Sequence, residues 1–201
     1  MSGRFNKIGS FLALSSISAG RVSPDGQCSS SPAVCQNGPM TDWEERIRIF
    51  WSDASDASDA DPEFTFGSMQ ALIAERRDDD AAAIFEWVSV HDFLGRDAEA
   101  IPLYRRALEL GLDPVRNSQA QIQLASSLGN IGETTEAVRI LEGMEPDATA
   151  GDAHEAFLAL ALFNAGRPGE ALRVALKALG KTLPLYSGAI DHYADAIVDS
   201  K

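Results

Sequence analysis

Apolar positions along the chain recur with a helical period. Trp43, Ile47, Phe50 and Trp51 stand at i, i+4, i+7 and i+8, which places all four on one face of a helix. Thr41-Asp42-Trp43-Glu44 opens that helix as a capping box, and the helix is expected to end near Ser52. The acidic run from Asp53 to Asp61 reads as a solvated linker. Its aspartates recur mostly every third residue, and it lacks the central Gly and terminal Glu of a calcium loop. Asp61-Pro62 then supplies the N-cap and first residue of a second helix, with Phe66, Met69, Leu72 and Ile73 inward. Sustained two-residue alternation is missing, so no strand is expected.

Beyond residue 80 the pattern repeats. G-x-x-x-E-A occurs at Gly95 to Ala100, Gly132 to Ala137 and Gly166 to Ala171, with spacings of 37 and 34 residues. Eight residues before each glycine stand Trp87, Leu124 and Leu158, followed by Val88, Ala125 and Ala159; four residues before stand His91, Leu128 and Leu162. Nine residues after stand Tyr104, Leu141 and Ala175, and twelve after, Ala107, Met144 and Ala178. This spacing describes a helical hairpin. Glycine closes the first helix because only glycine enters the left-handed C′ conformation without steric cost. The glutamate falls in the first turn of the second helix, where the dipole favours an anion. The alanine after it lets the two helices approach closely. An all-α fold follows, and a period near 34 residues indicates a stack of such hairpins.

The period and the alternation of large and small positions resemble the tetratricopeptide repeat. Gly95, Ala100, Tyr104, Ala107 and Pro114 carry the likeness in the first unit. More narrowly, Leu94-Gly95-Arg96, Leu103 to Leu108 and Ile122 to Leu128 resemble the bacterial tetratricopeptide group-five family, whose small members commonly begin near a segment like Met40 to Glu44. The resemblance implies an α-solenoid of antiparallel helical hairpins over residues 40–201. Repeats are expected near 81–114, 118–147 and 152–185, after a degenerate leading hairpin within 41–78. A capping helix over 183–198 would turn Leu185, Ile190, Tyr193 and Ile197 inward. Two residues depart from the pattern. Gly129 stands where a larger residue is expected, at a cost of about 1 kcal/mol relative to Ala, and Pro102, one turn into a helix, predicts a bend.

Composition narrows the partners. Seventeen Lys and Arg against thirty Asp and Glu give a net charge of −13 and a pI near 4.5. Nucleic-acid backbones and anionic membrane surfaces both require clustered cations, so neither is an expected partner. The longest apolar run, Ala156 to Phe163, is far short of the roughly 20 residues of a membrane span. Both cysteines, Cys28 and Cys35, lie in residues 1–39, which read as a disordered extension or a weak signal-like segment built on Arg4, Lys7 and Ile8 to Ala19. A cytoplasmic protein is expected, or a secreted one if residues 1–20 act as a signal.

No catalytic residue, metal site or cofactor is expected. His91-Asp92 is the one pair that suggests a helical metal-dependent hydrolase, yet His91 occupies a core position matched by Leu128 and Leu162, and a satisfied, half-buried histidine is expected there. The resemblance implies instead a concave groove lined by first-helix residues. These are Phe85, Glu86, Ser89, Asp92 and Phe93 in the first unit, Ile122, Gln123, Ser126, Gly129 and Asn130 in the second, and Phe157, Leu160, Phe163 and Asn164 in the third. Phe85, Ile122, Phe157 and Phe163 would form an apolar strip rimmed by Glu86 and Asp92. No Lys or Arg stands at the positions that clamp a peptide carboxylate in some members of the family. The expected ligand is a protein or peptide with apolar anchors and basic edges, unless the protein's own helices fill the groove; a structural homo-oligomer is the further alternative.

Overall fold

A computed structural model of the protein describes residues 42–56, 61–145 and 151–197. The expected extension over residues 1–39 and the capping Thr41 lie outside the described residues. Those described form nine α-helices: α1 (Asp42–Asp56), α2 (Pro62–Ile73), α3 (Ala81–Phe93), α4 (Asp97–Leu110), α5 (Pro114–Asn130), α6 (Thr134–Glu142), α7 (Ala153–Asn164), α8 (Pro168–Thr182) and α9 (Ser187–Asp195). Each helix packs against the next in the chain. The first helices of successive hairpins, α3, α5 and α7, also pack side by side. The all-α solenoid expected from the sequence is the fold observed.

Local chemistry sets the helix ends. Asp61, Asp80 and Asp113 are N-caps whose carboxylates accept from the amides of Glu63, Ala83 and Arg116 at 3.0–3.1 Å. At the other end, Gly95, Gly132 and Gly166 sit at φ of 72°, 92° and 77°. The amide after each glycine bonds back to the carbonyl of His91, Leu128 or Leu162 at 2.8–2.9 Å. That is a Schellman closure repeated three times, and it turns the chain from the first helix of each hairpin into the second. The motif alanines Ala100, Ala137 and Ala171 are 0, 0 and 6% exposed, as close helix approach requires.

Two apolar clusters hold the stack. The larger spans α3 to α8 and includes Val88, Tyr104, Leu124, Leu128 and Leu141. The smaller joins Trp43, Ile47 and Trp51 of α1 with Met69 of α2 and Ala83 and Val90 of α3. Full burial of one such side chain contributes roughly 1.5–3 kcal/mol. Trp43 also donates its indole N–H to the Leu72 carbonyl at 2.9 Å, which ties α1 to the end of α2.

Three details differ from the sequence reading. Helix α1 continues one turn past Ser52 to Asp56, because Ala54 adds to its apolar face beside Trp51. Helix α5 begins at Pro114, four residues before the expected unit boundary at Ser118, since Asp113 caps it. Helix α9 begins only at Ser187, after Pro184 and a left-handed Tyr186 (φ 67°), so Leu185 lies before the helix. Ala194, not Leu185 or Tyr193, is buried against the stack; Leu185 and Tyr193 are each 69% exposed, while Ile190 and Ile197 are half-buried. The close approach falls at Gly180 of α8, where an added Cβ would lie 3.3 Å from Asp191 and 3.6 Å from Ile190. Pro102 stands exposed within α4, which runs unbroken through it.

Candidate interaction cleft

The first half of the expected groove is closed. Phe85 and Ile122 belong to the larger core, and Glu86, Ser89, Asp92 and Gln123 are all buried as well. Helix α1 covers one edge of this face, where its Trp51 reaches Glu86 and Phe93. The Trp51 indole N–H donates to Glu86 at 2.7 Å, and its ring meets Phe93 edge-on at 6.0 Å. Arg116 at the start of α5 completes the closure. It donates to Glu86 at 3.1 Å and to Asp113 at 3.0 Å, and it also bonds Glu44 of α1. Burial pushes the Glu86 carboxyl above its ordinary range, against the opposing pull of Arg116 and Trp51. So Glu86 and Asp92 are not charged rims. They are interior groups of a joint between α1, α3 and α5.

Asp92 belongs to a second buried network. The Tyr104 hydroxyl lies 2.9 Å from the Gln123 side-chain oxygen and 3.2 Å from Asp92, and Ser127 donates to Asp92 at 3.3 Å. Tyr104 has one proton to donate, so a protonated Asp92 completes the network by donating to the Tyr104 oxygen. Burial, with neighbouring Asp97, raises Asp92 from 3.8 to about 7. The Ser89 hydroxyl is engaged within its own helix, donating to the Phe85 carbonyl at 2.8 Å.

His91 also differs from expectation. Its ring is wedged edge-on against Phe66 (4.8 Å) and Trp87 (5.0 Å), and both ring nitrogens are buried without a hydrogen-bond partner. Burial, then the Arg96 charge, hold its pKa below the ordinary value. His91 thus faces α2 while Asp92 faces α4 and α5, and the two do not converge on a shared ligand. Among the described residues no group of three or more His, Cys, Asp or Glu is placed to hold a metal ion. Nor is any helix among them long and apolar enough to cross a membrane.

Further along the stack the groove is open. A cleft of about 40 Å³ lies between the C-terminal halves of α5 and α7. Of the expected residues, Ser126, Gly129, Asn130, Phe157, Leu160 and Asn164 line it; Ala125, Leu141 and Ala161 complete its walls. Phe163 stands beside it at 60% exposure, and Leu160 is 39% exposed. Gly129 is the physical origin of the opening. A Cβ there would meet nothing within 4 Å, so the residue that departs from the repeat pattern leaves the space unfilled. The volume is far below the roughly 300–1,000 Å³ of small-molecule sites and matches one inserted side chain. Leu141 and Ala125 were legible from spacing as core positions, and their edges form the floor. Arg116 carried no repeat signal.

The architecture agrees with a family comparison in which residues 81–197 match the tetratricopeptide repeat, group five. The chain belongs to this family. The matched span covers α3 to α9, so the leading helices α1 and α2, which close the front of the groove, precede it. Comparison with curated proteins and with solved structures finds no match. Tetratricopeptide repeat domains are generally protein-interaction modules.

Proposed function

We propose that this tetratricopeptide protein is a non-enzymatic interaction module that seats one apolar side chain of a peptide or partner helix in the α5–α7 cleft. The observation that carries the reading is the cleft itself, an apolar notch flanked by exposed Leu160 and Phe163 where the rest of the concave face is filled. The electrostatics favour a ligand with Lys or Arg beside its anchor. The cleft lies at the C-terminal ends of two parallel helices, whose dipoles place partial negative charge there. Asp97 stands close by, bonded to Asn130 at 3.0 Å, and the whole chain carries −13. Long-range attraction would speed the encounter and fade with salt. The same reading places the protein in the cytoplasm, and mass spectrometry of the natural N-terminus would instead show secretion if residues 1–20 had been removed.

The test is a displayed random peptide library panned on the full chain. Enriched peptides should carry one aromatic or leucine anchor and flanking Lys or Arg. Leu160→Asp/Phe163→Asp should weaken them at least about tenfold without lowering the melting temperature. Peptides that bind this variant as well as the wild type, or a library with no enrichment, would reject the proposal.

A further inference from the structure

Among the described residues, the outer face of the last hairpin lacks the polar cover of a solenoid terminus. The repeat register identifies what is left uncovered. Six residues after the motif glycine, Ile101 and Val138 are 5 and 4% exposed, whereas Leu172 is 51% exposed. Nine residues after it, Tyr104 and Leu141 are buried, whereas Ala175 is exposed. In α4 and α6 the next hairpin covers these positions. Among the described residues, α8 is followed only by α9, which sits against a different face: Arg173 bonds the Ile197 carbonyl, Lys177 pairs with Asp195, and Gly180 meets Ile190. Leu172, Ala175 and Leu179 thus share one open stripe at i, i+3 and i+7, with Leu179 52% exposed. At its end the chain turns through Leu185 and Tyr186, 69 and 78% exposed.

We propose that a second copy of this chain covers the α8 stripe, in a two-fold symmetric dimer with α8 packed on α8 of its partner. Charge distribution selects this occupant and this end. Residues 42–80 hold twelve acidic against four basic residues, so two copies meeting there would repel. Residues 167–197 hold three acidic against four basic, the near-neutral end of a strongly acidic chain. Its cations are already engaged, Lys177 with Asp195 at 2.6 Å and Lys181 with Glu155 at 2.7 Å, which leaves the stripe itself uncharged. An apolar stripe flanked by balanced charge is self-complementary, as a two-fold contact requires. The acidic end offers no matching stripe, since exposed Ile49 and Phe64 lie on separate helices. The dimer leaves the α5–α7 cleft free, so it stands or falls independently of peptide binding.

Sedimentation velocity of the full chain across a micromolar concentration series tests the proposal. The expected species has twice the 21.5 kDa of one chain. Leu172→Asp/Leu179→Asp should be monomeric with an unchanged circular-dichroism melt, because both side chains are exposed in the single chain. Phe64→Asp, at the opposite end, should remain dimeric. Leu172→Ala/Leu179→Ala guards against a folding defect of the Asp pair and should raise the dimer dissociation constant about tenfold. A monomer at every concentration would overturn the proposal, whether residues 1–41 or nothing covers the stripe. A dimer indifferent to the Leu172 and Leu179 changes, or one lost in Phe64→Asp through head-to-tail contact, would overturn it equally.

Discussion

Replacing Asp92 by Asn removes a carboxyl that the interior holds in its protonated form up to about pH 7. The unfolded chain releases that proton near the ordinary value of 3.8. Between the two values the folded state binds more protons than the unfolded state. Stability therefore declines as pH rises through this window and levels off above it. At about 1.4 kcal/mol per unit, the loss from about pH 5 to about pH 8 is roughly 2–3 kcal/mol from this one group. Asp92→Asn cannot ionise and suffers none of it, while its amide keeps an acceptor for Ser127 and a donor for Tyr104. Urea unfolding of both proteins at the two pH values gives the comparison. Relative to wild type, the variant should gain about 2–3 kcal/mol on going from the acidic to the alkaline condition. A variant-minus-wild-type difference that is the same at both pH values would refute the protonated network around Tyr104.

Arg116→Ala strands Glu86 in the joint between α1, α3 and α5, and thermal or urea unfolding should show a loss of about 3–5 kcal/mol, partly recovered by adding Glu86→Gln. Gly129→Ala should stabilise by roughly 0.5–1 kcal/mol in the same assay while narrowing the cleft and weakening selected peptides, whereas Gly166→Ala, at φ 77°, should cost about 1 kcal/mol. His91→Leu removes two buried, unpartnered nitrogens and should stabilise by about 1–2 kcal/mol. Its gain should widen on acidification. With the folded pKa of His91 depressed, the unfolded chain takes up the proton first, so the wild type loses stability as pH falls below the ordinary histidine value.

The hairpins were legible in the sequence because their signals are local. A glycine that must turn left-handed, an acid in the following turn and an alanine at the contact act within a few residues of one another. The open cleft was half legible. The family resemblance implied Ser126, Asn130, Phe157, Leu160 and Asn164 as groove residues, and Gly129 stood out as too small for its position. The closure of the rest was not legible, because register states where a side chain points and not what lies above it. Glu86 is buried by Trp51 from 35 residues away and by Arg116 from 30, and no periodicity reports such a meeting. Helix α9 was legible only in part: Pro184 and the left-handed Tyr186 delay its start, so Leu185 lies before the helix and Tyr193 stays exposed, while Ile190 and Ile197 do approach α8.

Where a selected peptide binds is best read by amide NMR of the isotope-labelled 21.5 kDa chain during titration. An interaction module working through the open cleft predicts shifts confined to the C-terminal halves of α5 and α7, at Ser126, Gly129, Asn130, Leu160, Phe163 and Asn164, with the joint at Glu86 and Arg116 unmoved. Shifts centred on α1 and α3, or on the α8 stripe with the cleft silent, would contradict it.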